Sequence, residues 1–292
     1  MFYGALEAGG TKMVLAIGTV NGEIIEQKSI PTQHPSITMP KIIEYFKSKD
    51  IIALGVGSFG PIDLNPNSPT YGYITSTPKL DWRNYNLVGS LQEALNIPIG
   101  FDTDVNGSCL GEATYGSTKD VKSSVYITIG TGIGIGVMVN GSLLHGMLHP
   151  EGGHILISKH EKDNASGVCP YHPNCFESLA SGPAIENRYG KKAHLLKEDE
   201  TVWELEAYYI AQAIITYILT LSPERIVLGG GVMHQEQLFP LIRKHVVALL
   251  NGYMDTNELS NMETYIVPSS LAGDQGIIGC IELAKMAKKS GQ

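Results

Sequence analysis

One pattern occurs twice in this chain and limits what it can fold into. Apolar runs at 2–6, 13–17 and 23–30 are separated by Ala8-Gly9-Gly10 and by Val20-Asn21-Gly22. Runs at 124–129, 135–139 and 142–144 are separated by Gly130-Thr131-Gly132-Ile133-Gly134 and by Asn140-Gly141. Short apolar runs bounded by such turn residues predict strands of an antiparallel meander, and Asn-Gly is a hairpin turn signal. One copy of the strand, Gly/Thr turn, strand, Asn-Gly, strand unit in each half is a duplication of architecture, not a short-period solenoid. A length of 292 residues suits two domains.

The stretches between the meanders predict an α/β chain. Helices are expected at 40–47, with Ile42, Ile43 and Phe46 on one face, at 85–95, and at 103–114 beginning at Asp104. Strands are expected at 51–58 and 97–101, with a loop over 62–79. The second half predicts a long helix over 201–221 opened by a Thr201–Glu204 capping box. A strand at 225–228 runs into Gly229-Gly230-Gly231, followed by a helix at 236–250, a strand at 264–267 and a final helix at 275–288. The domain junction falls near 115–122. The expectation is a small N-terminal α/β domain, 1–117, completed by the C-terminal helix 275–292, and a larger α/β domain, 118–274.

Charge and composition exclude some functions. A net charge of −8 lacks the basic stripe of a nucleic-acid binder. It leaves room for a nucleotide-phosphate site built on backbone N–H groups and a metal ion. No apolar run reaches the roughly 18 residues of a membrane span, and the first residues lack the basic and apolar segments of a signal peptide. A cytoplasmic protein without membrane or nucleic-acid partners is expected. In that compartment Cys109, Cys169, Cys175 and Cys280 stay reduced, so clustering among them points to metal before disulfide. The 33 glycines fall in clusters, which suggests backbone approached closely by a ligand.

Each Gly turn alone is ordinary hairpin chemistry. The 130–134 turn has neither the Lys-Ser/Thr ending nor the following helix of a P-loop. A strand follows it, so it is not a dinucleotide fingerprint either. Two equivalent Gly/Thr turns facing each other, however, would grip a polyphosphate from two sides, which is the layout of the actin-like ATPase and sugar-kinase fold.

Six ordered motifs then resemble the ROK family of sugar kinases, in its bacterial fructokinase branch. Glu7-Ala8-Gly9-Gly10-Thr11-Lys12 is similar to the first phosphate motif, and Phe101-Asp102-Thr103-Asp104-Val105-Asn106 to the catalytic segment. Ile129-Gly130-Thr131-Gly132 resembles the second phosphate motif, and His149-Pro150-Glu151-Gly152-Gly153-His154 the sugar signature. Cys169, His172, Cys175 and Glu177 lie at the family's Cys-rich motif, and Leu228-Gly229-Gly230-Gly231-Val232 resembles its adenosine motif. The family often has Asp where this chain has Glu7, Asn where it has Thr103, and Cys where it has His172.

The resemblance implies an α/β fold of two actin-like (ribonuclease H-like) ATPase domains around a cleft. It also implies ATP with Mg²⁺, a hexose substrate, fructose 6-phosphate as product and a homodimer. Gly9, Gly10, Thr11, Lys12, Gly130, Thr131, Gly132, Pro183, Gly229, Gly230, Gly231 and Val232 are the expected nucleotide contacts. Asn106, Glu151, His154 and Glu177 are the expected sugar contacts. Two other readings stand beside this one: a glucokinase or broad-specificity hexokinase, and a non-catalytic sugar sensor. The family's repressors carry an N-terminal helix-turn-helix, for which a first strand at Phe2 leaves no room.

The chemistry of these residues is consistent with that assignment. A sugar hydroxyl has a very high pKa, so a positioned carboxylate must accept its proton as the bond to phosphorus forms. Asp104 at a helix start suits that role, though such an Asp also serves as a helix cap. Asp102, two residues earlier, lies on the same side of the strand end, and the pattern alone does not separate the two; the resemblance selects Asp104. Glu151 can accept from two vicinal hydroxyls. His154 with Cys169-x₂-His172-x₂-Cys175 offers two imidazoles and two thiolates, which suits a closed structural Zn²⁺ site. That site would hold Glu151 and Glu177 in register.

Overall fold

The structure, a computed structural model, describes residues 1–290. The chain divides into two compact units. The first comprises Met1–Lys119, Leu143–Pro150 and the chain from Ser270 onward; the second comprises Asp120–Ser142 and Glu151–Ser269. The expected second domain, 118–274, is thus interrupted at Leu143–Pro150, a segment that packs with the first unit.

The first unit is built on strands β1 (Phe2–Ala8), β2 (Lys12–Gly18), β3 (Ile24–Pro31), β4 (Ile51–Ser58) and β7 (Ile99–Thr103), in the order β3-β2-β1-β4-β7. The β1–β2–β3 meander is antiparallel, and β4 and β7 add in parallel. Helices α1 (Pro35–Lys47) and α2 (Leu87–Leu95), with a small β5 (Tyr73–Ile74) and β6 (Tyr85–Asn86) ribbon, complete one side. That side buries Leu6, Met13, Leu15, Ile42, Phe46, Leu54, Trp82 and Leu91 in one cluster. The other face carries Ala5, Ala16 and Ala53, onto which α9 (Gln275–Ser290) packs through Ile277, Cys280, Ile281 and Ala284. Small residues there let the helix approach the sheet closely. A Cβ on Gly55 would run into the Cys280 carbonyl oxygen. Helix α3 (Asp104–Tyr115) lies against α9.

The second unit repeats that strand order. Strands β8 (Ser124–Ile129), β9 (Ile133–Val139), β10 (Ser142–Leu143), β11 (Arg225–Gly229) and β12 (Ile266–Pro268) run β10-β9-β8-β11-β12. Again the first hairpin is antiparallel and the added strands are parallel. Short helices α4 (Phe176–Ala180) and α5 (Gly182–Tyr189) precede α6 (Glu200–Leu221), whose Trp203, Tyr209, Ile210, Ile214 and Tyr217 are buried. Helix α7 (Leu238–Leu250) packs on α6, and α8 (Met262–Tyr265) leads into β12. Among the described residues, no helix is long and apolar enough to cross a membrane.

Three local expectations are corrected. Helix α6 starts at Glu200, because Asp199 Oδ1 accepts from both the N–H and the hydroxyl of Thr201, which removes Thr201 from the capping role. Helix α1 starts at Pro35, not 40; His34 caps it through Nδ1, and Pro40 is tolerated in its second turn. The strand expected at 264–267 begins only at Ile266, because Asn261 caps a short helix over the preceding residues.

Candidate active site

Two aspartates at the end of β7 have opposite surroundings. Asp102 is buried and both its oxygens are engaged. Oδ1 accepts from the Thr103 N–H at 2.8 Å and from Asn106 Nδ2 at 2.7 Å. Oδ2 meets His145 Nε2 at 2.8 Å. Asp104, the first residue of α3, accepts from backbone N–H groups, that of Val105 at 2.9 Å, and from no side chain among the described residues. The helix cap is Thr103, whose hydroxyl accepts from the Asn106 N–H at 3.0 Å. Asp104 is therefore not there as a cap. Desolvation pushes its carboxyl up to about 6, against the lowering effect of local backbone N–H groups. A carboxylate that is desolvated and short of hydrogen bonds is a stronger proton acceptor than one with every lone pair engaged.

The expected sugar contact Asn106 is fully buried and turned to Asp102, so its amide positions that carboxylate. His145 was not singled out from sequence. It comes from the Leu143–Pro150 segment, is exposed, and is held by the buried Asp102, which raises its pKa. His149, from the same segment, is buried with Nε2 accepting from the Ile62 N–H at 3.1 Å; desolvation lowers its pKa, which keeps it neutral. The signal that could have flagged His145 was its place four residues before the His149-Pro150-Glu151 motif.

The first Gly turn lies in the same unit. Gly9 N–H closes it onto the Lys12 carbonyl at 3.0 Å, and Thr32 braces it, donating from its hydroxyl to the Gly9 carbonyl at 2.7 Å and from its N–H to the Thr11 carbonyl at 3.0 Å. Glu7, at the end of β1, is pushed up to about 7 by burial first and then by the Asp104 charge, with Lys12 opposing and Asp274 adding to the rise. The Lys12 charge thus acts on Glu7. The Asp104 and Asp274 charges thus both act on Glu7.

In the second unit the expected nucleotide residues converge. Gly182 N–H donates to the Gly130 carbonyl at 2.7 Å, which sets Pro183, at the start of α5, beside the second Gly turn. A Cβ on Gly130 would lie 3.9 Å from Gly231 N, and one on Gly182 would lie 3.9 Å from Val232 Cγ2. Gly230 has φ +89°, and a Cβ there would meet Ile129 N at 2.6 Å, so only glycine fits. Gly231 by contrast faces open space. Thr131 is exposed at the turn, while Val232 is buried and Gly229 lies under the Tyr126 ring. Glu177 Oε2 accepts from the Ile133 N–H at 2.9 Å, so this expected sugar carboxylate also pins the second turn beside Gly132. Glu151 is exposed and precedes the short turn Gly152–His154, its backbone carbonyl accepting from the His154 N–H at 3.0 Å.

The ligand atoms of His154, Cys169, His172 and Cys175 lie within 4.8 Å of one another. His154 Nδ1 is 3.8 Å from Cys169 Sγ and 3.6 Å from Cys175 Sγ. A tetrahedral ion with Zn–S of about 2.3 Å and Zn–N of about 2.0 Å would space sulfur and nitrogen by about 3.5 Å. The cluster fits such an ion with little adjustment. Because Nδ1 faces the sulfurs, Nε2 of His154 is left for another partner.

Two α/β units of one strand order, each with a Gly turn after its first strand, define the actin-like ATPase fold class. Residues 3–287 match the model of the ROK family, and the chain belongs to that family. A fructokinase from Pediococcus pentosaceus is 44% identical over 290 residues, which cover 99% of this chain and 100% of the relative. A fructokinase from Lactococcus lactis subsp. cremoris is 46% identical over 286 residues, 97% of each. Among solved structures, a ROK hexokinase from Thermus thermophilus superposes with a TM-score of 0.81 at 22% identity, over 100% of both chains.

Proposed function

We propose that this protein is an ATP-dependent fructokinase that makes fructose 6-phosphate. The observation that carries the proposal is the contrast at the end of β7: Asp102 has its oxygens engaged, while Asp104 is desolvated and bound by no side chain. Full-length likeness to fructokinases at 44% and 46% identity supports the sugar class.

In this reading the 6-hydroxyl oxygen of the sugar attacks the γ-phosphorus of ATP. The new O–P bond forms, the bond from phosphorus to the β–γ bridging oxygen breaks, and the hydroxyl proton passes to Asp104. ADP leaves with the bridging oxygen. Transfer of this kind depends on positioning and charge neutralisation. Mg²⁺ bound with ATP would supply part of that neutralisation, and Glu7 and Asp274 would be the carboxylates to hold it or its waters. Backbone N–H groups of the two Gly turns take phosphate oxygens, and Gly182, Pro183, Gly230, Gly231 and Val232 form the adenosine site. Glu151, Glu177 Oε1 and His154 Nε2 hold sugar hydroxyls. His154, Cys169, His172 and Cys175 would hold a structural Zn²⁺, which would keep that group in register. The protein acts as a homodimer in the cytoplasm.

The test is sugar-dependent ADP release over a panel of hexoses at equal concentration. Fructose as the best substrate is the expected result. A preference for glucose would replace the sugar assignment, and no release with any hexose would remove the kinase reading.

A further inference from the structure

The loop over 75–82 approaches the first Gly turn and brings a lysine to it. A Cβ on Gly10 would stand 3.0 Å from Lys79 Cε and 3.8 Å from Lys79 Nζ. The loop is fixed in that position from several directions. Lys79 N–H donates to Thr77 Oγ1 at 3.2 Å, and its carbonyl accepts from the Trp82 N–H at 2.9 Å. Trp82 is buried, and its Nε1 donates to the Gln33 carbonyl at 2.9 Å. Gln33 follows Thr32, which braces the Gly turn itself. Lysine and turn are therefore carried by one braced assembly. A cavity of about 310 Å³ opens there, lined by Gly10, Thr32, Lys79, Asp81 and Trp82 among others.

Two donor sets meet at this point without protein partners. The N–H groups of Gly10 and Thr11 make no hydrogen bond within the described protein, and the Lys79 ammonium makes neither a hydrogen bond nor an ion pair there. Successive unspent N–H groups in a turn form an anion-binding concavity, and an ammonium is a point charge suited to phosphate oxygens.

We infer that Lys79 is a further catalytic residue, whose ammonium binds the terminal phosphoryl group of ATP over the Gly9-Gly10-Thr11 turn as it transfers. The inference rests on the kinase reading for its catalytic part. Lys79 forms and breaks no bond and moves no proton. It offsets the negative charge of the equatorial oxygens while the O–P bonds exchange and Asp104 takes the proton. A lysine at this place distinguishes ATP from ADP, because only ATP brings a phosphoryl group to the turn.

The experiment compares wild type with Lys79→Met and Lys79→Arg. Steady-state kinetics gives kcat and the KM for ATP and for fructose; calorimetry gives binding of ADP and of inorganic tripolyphosphate. For Lys79→Met, kcat falls about 100-fold, tripolyphosphate binding weakens about tenfold, and ADP binding and the KM for fructose stay within threefold. Lys79→Arg recovers part of kcat. A Lys79→Met enzyme with kcat within threefold of wild type overturns the inference. Equal loss of ADP and tripolyphosphate binding, or a raised KM for fructose at unchanged kcat, overturns it too, by assigning the lysine to loop structure or to the sugar. Wild-type protein inactive on every hexose would count against the kinase reading alone; the tripolyphosphate arm would still decide the anion site.

Discussion

Asp104→Asn is expected to stabilise the protein while disabling it. The carboxyl of Asp104 is raised from 3.8 to about 6, chiefly by desolvation. About two units at 1.36 kcal/mol each amount to about 3 kcal/mol. The sign follows from proton binding. The unfolded chain releases this proton near its ordinary pKa, and the folded protein holds it until about 6, so between those values the folded state binds more protons and stability falls as pH rises. The cost is nearly absent below the unfolded value, about half present at pH 5, and complete at pH 8. Asparagine keeps the acceptor for the Val105 N–H and carries no charge. Its amide is desolvated in turn, so the expected gain at pH 8 is about 1–3 kcal/mol. Removing the Asp104 charge also relieves Glu7, whose pKa that charge raises.

Urea unfolding of wild type and variant at pH 5 and pH 8, with ADP release in the presence of fructose at pH 8, tests both halves. The variant should gain more stability at pH 8 than at pH 5, and its kcat should fall by about 10²–10⁴-fold. A variant no more stable than wild type at pH 8, or one whose gain is the same at both pH values, refutes the desolvated carboxylate. A variant with more than a tenth of wild-type turnover refutes the base. Raised stability with lost turnover is the pattern of a site held in a costly state for function.

Three further outcomes follow from the same geometry. The wild-type kcat/KM should fall with decreasing pH below about 6, since Asp104 must be ionised to accept a proton; a flat profile from pH 5 to 8 contradicts that. Purified protein should carry one Zn²⁺ per chain, and Cys175→Ser should lose it together with several kcal/mol of stability, read by metal analysis and thermal unfolding. Gly230→Ala should cost about 1–3 kcal/mol and raise the KM for ATP, because φ is +89° and Ile129 backbone leaves no room for a Cβ; wild-type stability in that variant would show that the turn relaxes freely.

Local signals carried much of the fold. Alternating and continuous apolar runs located nearly all the principal strands, and strand 51–58 agrees residue for residue with β4. Errors came where two local signals competed. At α6 both Asp199 and Thr201 can cap, and the deciding fact is that one Asp199 oxygen takes both donors of Thr201. At α1 a proline that usually stops a helix lies inside it, at the cost of one backbone hydrogen bond, while Pro35 occupies the first position. The metal cluster was legible because three of its residues lie within seven positions and the fourth recurs in a second motif. Lys79 was not legible, because a single lysine in a loop over 62–79 carries no period, and its meaning depends on Trp82 reaching Gln33.

The choice between Asp102 and Asp104 shows where local reading ends. Strand periodicity puts both on one side, and residue type cannot rank them. What ranks them is supply of donors. Asp102 receives His145 from a segment 43 residues away, together with the amide of Asn106 one helical turn on. The side-chain donors of Asn106 and His145 thus go to the first carboxylate. Asp104, two residues later and turned into the helix, is left with backbone N–H groups alone, in a setting that water enters poorly. Under the proposed mechanism Asp102, which is satisfied, is the anchor, and Asp104, which lacks side-chain donors, is the base. On this argument Asn106→Ala and His145→Ala should weaken turnover indirectly, by freeing Asp102 to compete for the position that Asp104 holds.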